Sequence, residues 1–320
     1  MRVPERPERA GWSTYKFWQK AADDDRIDGI VAPVRTDRLR QQGRAVPAPG
    51  AVSKVPQITA IFWVIKVLTT AQGEAVADFL FFRYGPVVVG AVGATGLVAA
   101  LALQFRARRY VAGIYWSAVV MVAVFGTLAA DGMHIVMGVP YLWSATFYAS
   151  SLAVIFTVWY ATEKTLSIHS IYTWRREAFY WATVMATFAL GTAAGDVTAI
   201  TLHLGFLASG VVFALVIAIP AVAHLRFGLN PILAFWLAYI VTRPLGASYA
   251  DWLGVSHALG GLGLGRGPVG LALTIVIAGL VGYLSVTSQD VDHGTARPPD
   301  RARHRQQPAD IRPAASTRRR

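Results

Sequence analysis

Five carboxylates lie on one repeated helical stripe of a very apolar chain. Asp78, Asp131, Asp196 and Asp251 each stand 15 residues after a tryptophan (Trp63, Trp116, Trp181 and Trp236), and Glu74 stands 11 residues after the first of these. Carboxylates gathered in an apolar setting must be neutralised by protons, by a bound cation or by water. The chemistry they suggest is therefore that of protons or hard cations, whose ordinary ligands are carboxylate oxygens. His134, His203 and His257 follow three of the Asp residues at +3, +7 and +6. Imidazole beside carboxylate suits first-row divalent metals, although the uneven offsets set these His residues apart from the repeat.

At 100° per residue, positions +7, +11 and +15 lie within about 60° of the Trp on a helical wheel. Trp63, Thr70, Glu74 and Asp78 thus share a face, as do Trp236, Arg243, Ala247 and Asp251; Thr127 and Thr192 take the +11 place in the middle repeats. The three Thr hydroxyls are candidates for coordination or hydrogen bonding. Lys66 and Arg243 are the cations inside these segments and are expected to act as counter-charges. Five negative charges against two positive leave a deficit of three. The remaining acidic residues of the apolar region, Glu163 and Glu177, fall in a connecting loop on this reading.

The elements that carry the stripe form an internal repeat. An aromatic-Trp pair is followed at +10 by Gly (Gly73, Gly126, Gly191, Gly246) and at +15 by Asp, four times without gaps, and such a period must be recognised before a fold is proposed. Each repeat contains two apolar segments of roughly 20 residues, the length that crosses ~30 Å of hydrocarbon. First members are placed near 56–80, 111–131, 178–197 and 231–251, and second members near 86–105, 139–160, 203–224 and 267–286. Pro56 and Pro231 suit a first helical turn, where no N–H is needed, and Pro86, Pro140 and Pro268 open second members. The expected fold is all-α: a transmembrane helix bundle of eight spans, built from four parallel two-helix repeats at about 55–107, 108–164, 175–227 and 228–287.

Composition agrees. The 320 residues are 54% hydrophobic and 15% charged, with no Cys, and mean hydropathy is +0.44; soluble domains carry about 25% charged residues. Disulfides, thiolate metal sites and thiol catalysis are excluded. The net charge of +12 comes mostly from residues 1–54 and 288–320, read as polar cytoplasmic tails that are mostly disordered, with a short helix near Trp12–Ala22. Tails of this kind favour anionic lipid over nucleic acid as a partner. No secretory signal opens the chain. Between repeats lie Arg106, Arg108, Arg109, Lys164, Arg175, Arg176 and Arg226, and within repeats only Arg83 and Arg266. That bias places both termini in the cytoplasm.

Other signals carry less. The run from Gly260 to Gly267 follows no strand and lacks a Lys-Ser/Thr, so it reads as a flexible loop and not a nucleotide cradle. No paired axial His suggests haem, and no catalytic spacing suggests an enzyme. A structural reading of the repeat also stands. The Trp residues would form an interfacial belt, Gly would sit at close helix contacts, and Asp would cap a turn or pair with Arg83 or Arg266.

The stretch from Lys54 through Phe62-Trp63, Gly73 and Glu74 to Asp78 resembles the opening repeat of a bacterial family of "membrane-anchored" integral membrane proteins. Its members are built from four tandem two-helix repeats, each with a characteristic Trp, and their function is unknown. The resemblance covers about residues 54–286 and implies architecture, not chemistry. The expected function is movement of a small cation, a divalent metal or protons, across a bacterial inner membrane, with no cofactor other than such a divalent cation. The alternative is a non-transporting scaffold or sensor whose repeats serve packing. A water-lined path between the stripes favours the first, and a dry, tight centre the second.

Overall fold

The computed structural model describes residues 53–290; most of both tails, with the helix expected near Trp12–Ala22, lies outside the described residues. Regular structure within them is helical throughout. The long helices are α1 (Ala60–Tyr84), α2 (Pro86–Arg106), α3 (Ala112–Asp131), α4 (Tyr141–Glu163), α5 (Trp174–Asp196), α6 (Gly205–Phe227, interrupted at Ile217), α7 (Pro231–Gly254) and α8 (Arg266–Thr287). Short π-helical turns, Gly132–Val136 and Val197–Thr201, extend α3 and α5.

Local chemistry sets the boundaries. Thr59 caps α1 by accepting the Phe62 N–H at 3.2 Å, and Asn230 caps α7 by accepting the Ile232 and Leu233 N–H groups at 2.9 and 3.3 Å. These side chains satisfy donors that a helix start leaves without partners. Pro231 and Pro86 occupy first turns as expected, whereas Pro56 precedes the Thr59 cap and Pro140 is itself a cap residue. Gly85 alone joins α1 to α2, at a φ of 85° that a side chain would disfavour.

The four first helices form a closed inner ring: α1 packs on α3, α3 on α5, α5 on α7 and α7 back on α1. Each second helix leans on the first helix of the next repeat, α2 on α3, α4 on α5, α6 on α7 and α8 on α1. Two repeated contacts close the ring. At one end the aromatic before each Trp meets the next repeat's Trp: Phe62 with Trp116 (5.7 Å), Tyr115 with Trp181 (5.7 Å), Tyr180 with Trp236 (6.2 Å) and Phe235 with Trp63 (5.7 Å). Further along, each repeated Gly receives the +7 residue of the next repeat. Gly73 abuts Ala123, Gly126 abuts Phe188, Gly191 abuts Arg243 and Gly246 abuts Thr70. A Cβ at Gly126 would fall 2.6 Å from that of Phe188, closer than packed atoms tolerate. The glycines thus sit at close contacts, as the packing reading of the repeat requires. Trp116, Trp181 and Trp236 are buried in this core, which corrects the reading of the repeated Trp column as an interfacial belt.

Apolar character is distributed accordingly. Inner helices α1, α3 and α5 bury 50–61% of their most apolar window, and outer helices α2, α4, α6 and α8 bury 17–22%. The bundle therefore presents a nearly continuous apolar exterior, with Val87, Val92, Val98, Leu215, Leu271 and Ile275 among the exposed side chains. Among the described residues, seven helices are long and apolar enough to cross a membrane; α7 has the length but carries Arg243, Pro244 and Asp251.

Two loop expectations are corrected. Glu163 ends α4 and Glu177 lies in the first turn of α5. Glu177 is buried, paired with Lys54 at 2.7 Å and accepting from Gln104 at 3.0 Å. The glycine run after α7 is a loop, as expected. The N–H groups of Leu262, Gly263 and Leu264 return to the Trp252, Val255 and Leu253 carbonyls at 2.6, 2.8 and 3.1 Å.

Candidate functional site

The bundle axis is occupied by Arg243. Its side chain leaves α7 at the +7 position, packs over Gly191 of α5 and is fully buried. Nε donates to the Phe188 carbonyl at 3.3 Å and Nη1 to the Thr70 carbonyl at 2.6 Å. Nη2 donates to Glu74 Oε2 at 2.6 Å, to Thr192 Oγ1 at 2.7 Å and to Thr127 Oγ1. Thr127 and Thr192 in turn donate to Glu74 Oε2, each at 3.1 Å. The +11 residues of the first three repeats therefore converge on the +7 residue of the fourth, whose own +11 position is Ala247. A long cation crossing the axis leaves little room there for another large side chain. Buried charge is tolerated when paired and fully hydrogen-bonded, and Arg243 meets that condition.

The Asp residues lie beyond this network, towards the ends of the inner helices. Arg266 Nε stands 2.8 Å from Asp78 Oδ2, and Nη2 stands 4.0 Å from Asp251 Oδ1. Glu74, Asp78 and Asp251 each place a carboxylate oxygen within 4.8 Å of the others. Asp131 and Asp196 close α3 and α5 at the same end of the ring. Three of the stripe carboxylates are thus brought together and the other two stand at the same end of the ring, Asp196 being the most exposed of the five. Three carboxylates so disposed, from α1 and α7, could hold a hard cation once the arginines give way.

Other members of the expected set are placed differently. Lys66 makes no ion pair to the carboxylates among the described residues. Its buried ammonium lies over the Phe188 and Tyr239 rings, at 3.9 and 4.1 Å, because at +3 it stands only about 4.5 Å along the helix from Trp63, near the aromatic level of the ring. Cation–π contact replaces the counter-charge role. The Thr70 hydroxyl points at the Val67 and Thr242 carbonyls, at 2.6 and 3.1 Å, so Thr70 serves the site through its own carbonyl. The three His residues stand apart from the three-carboxylate group. His134 is stacked on Tyr141 and bonded to the Val139 carbonyl at 2.7 Å. His203 has a φ of 55° in an exposed connection, and His257 lies in an exposed 3₁₀ turn.

Arg266 is the site residue that the repeat pattern does not include. The sequence offered it as a basic residue of a within-repeat connection with which an Asp could pair, and that pairing is the one found. The bonded glycine loop, with Gly265 at a φ of 85°, turns the start of α8 back over the Asp residues. With Arg266 counted in place of Lys66, five carboxylates face two cations, Arg243 and Arg266, and the deficit stays at three.

At the opposite end, outside the long helices, the Tyr110 hydroxyl donates to Asp290, and the Gln57 N–H donates to the Asp290 carbonyl at 3.0 Å. The Asp290 carboxyl is raised above its usual range, chiefly by burial, which the Tyr110 hydrogen bond partly offsets. Burial and the Asp290 partner likewise raise the Tyr110 phenol.

Ring, outer layer and axial charge together define an all-helical four-repeat bundle with a charged centre. Residues 61–110, 114–165, 179–229 and 234–290 each match the Repeat of Unknown Function (DUF347). The chain belongs to that family. No curated protein and no solved structure matches it.

Proposed function

We propose that this is an integral membrane protein of a bacterial inner membrane that moves a proton or a hard cation through its carboxylate cluster. The observation that carries the reading is the cluster of Glu74, Asp78 and Asp251, within 4.8 Å of one another, with Asp131 and Asp196 at the same end of the inner ring. Ionisable groups held in a bilayer are costly, and packing alone gives no reason to keep five of them at one end. The apolar exterior supports eight spans, α7 being screened inside the ring. The basic bias of the between-repeat connections supports cytoplasmic termini. Oxygen-only ligands favour protons or hard cations over a His-bound transition metal. Arg266, about a third exposed at 32%, acts as a tethered counter-ion that an incoming cation displaces, and Arg243 with Glu74 closes the axis.

A second reading is favoured by that same closure. The axis is sealed by Arg243 and by tight Gly contacts on every side, as in a packing scaffold or sensor. Flux measurements in proteoliposomes separate the two. Proton or divalent-cation flux that is lost in Glu74→Gln and Asp78→Asn supports transport. Absence of flux for both ion classes, with correctly folded protein, supports the scaffold.

A further inference from the structure

A lateral groove opens where an outer helix stands off the inner ring. Outer helix α8 packs on α1 and also on α3. The outer helix in the corresponding place two repeats earlier, α4, packs on α5 and meets α7 through side chains. The Phe156 and Trp159 rings lie 5.2 and 5.8 Å from Trp236. Above that contact a cavity of about 620 Å³ remains between α4 and α7. Its depth is lined by Leu152, Ala153, Phe156, Leu190, Leu237 and Ile240. At the Trp end of the ring the lining includes Lys164, Thr165 and Asn230, and it holds no carboxylate. Lys164 is exposed, at the left-handed C-cap of α4 (φ 57°).

Size and polarity narrow the occupant. The volume lies in the range of small-molecule sites, but those place several polar groups inside the pocket to fix orientation, and here the polar groups stand at the Trp end. From Ala149 to Lys164 the groove follows α4 for about 22 Å at 1.5 Å per residue, enough to run the depth of one leaflet of a ~30 Å hydrocarbon core. A long apolar trough ending at a single cation is complementary to an amphiphile with a hydrocarbon tail and an anionic head. We propose that the α4–α7 groove is a specific site for one anionic phospholipid, an acyl chain lying against Leu152, Phe156 and Leu190 and the phosphate at Lys164. This rests on the membrane-spanning reading. The site adjoins Trp236 and Leu190 of two inner-ring helices, so its occupancy bears on the packing of the ring itself.

The test uses the full chain, delipidated in detergent and titrated with phosphatidylglycerol or phosphatidylcholine under native mass spectrometry. One phosphatidylglycerol should be retained in preference to phosphatidylcholine. Ala153→Trp, which fills the groove, should lose that bound lipid while both basic tails stay unchanged. Lys164→Asn, which keeps a residue suited to the left-handed cap, should weaken phosphatidylglycerol about fivefold, the effect of one basic residue at an anionic head group, and leave phosphatidylcholine unaffected. If Ala153→Trp does not fold, Lys164→Asn decides alone. Equal phosphatidylglycerol retention by the wild type and the variants would overturn the proposal, as would a crosslink between two copies through Ala153→Cys. Carbonate extraction separates the two levels: protein that stays in the membrane but shows no groove lipid refutes only this inference, whereas release from the membrane refutes the membrane reading itself.

Discussion

Replacing Arg243 by Ala removes the guanidinium that joins all four repeats at the axis. The variant loses the 2.6 Å contact with Glu74, the 2.7 Å contact with Thr192 and the 2.6 Å bond to the Thr70 carbonyl, and it leaves Glu74 as an unpaired buried carboxylate. Breaking a buried pair in this way costs about 3–5 kcal/mol, because the remaining charge has no solvent. Arg266→Ala breaks the 2.8 Å contact with Asp78, but Arg266 is partly exposed and water can take its place, so about 1 kcal/mol or less is expected. Glu74→Gln, added to Arg243→Ala, removes the orphaned charge while its amide oxygen still accepts from Thr127 and Thr192. About 2 kcal/mol should return. Unfolding followed by tryptophan fluorescence in detergent reads all four proteins, the chain having 10 Trp residues. An Arg243→Ala variant no less stable than Arg266→Ala would refute the argument. A double-mutant cycle additive to within about 0.5 kcal/mol would do the same.

The glycine ring predicts that Gly→Leu at Gly73, Gly126, Gly191 or Gly246 lowers yield or thermal stability, since each site already abuts the next helix; tolerance at all four would show that the ring opens in the membrane. Reporter fusions after Gly85, Gly138 and Gly265 should all report the outside, and a cytoplasmic signal at any one would break the eight-span topology. The raised Asp290 carboxyl predicts a pH effect at the other end. Because the folded state holds that proton more tightly than the unfolded chain, its contribution to stability declines as pH rises above the ordinary carboxylate value of about 3.9. Asp290→Asn, which still accepts from Tyr110, should be the more stable protein at pH 7–8 and should flatten the change between pH 4 and 8; identical melting curves across that range would contradict the assignment.

By itself the sequence determined the features that period and polarity dictate. The +10 and +15 offsets fix a helical repeat, because only a 3.6-residue period keeps Trp, Gly, the +11 residue and Asp on neighbouring faces. Segment length and apolar composition fix the helix pairs. The cost of burying Arg243 without a partner points to Glu74, the deepest carboxylate on the stripe. These inferences involve one helix at a time, or one charge and its nearest opposite.

Tertiary structure decided everything that depends on how the helices meet. The ring closes through Phe62 on Trp116 and its three counterparts, each second helix leans on the following repeat, and no spacing within a single repeat encodes that exchange. Lys66 and Arg243 look alike in sequence, two cations on inner helices. The neighbours that the ring sets at each level hold one at Phe188 and Tyr239 and the other at Glu74, Thr127 and Thr192. Arg266 reaches Asp78 and Asp251 because a loop of glycines folds back on the last carbonyls of α7, a path set by backbone hydrogen bonds and positive φ angles. Glu177 and Lys54 pair across 123 residues, a contact that likewise exists only once the helices are assembled. A period in sequence fixes which residues share a face; which face meets which is fixed only when all four repeats have to bury their polar groups around one axis.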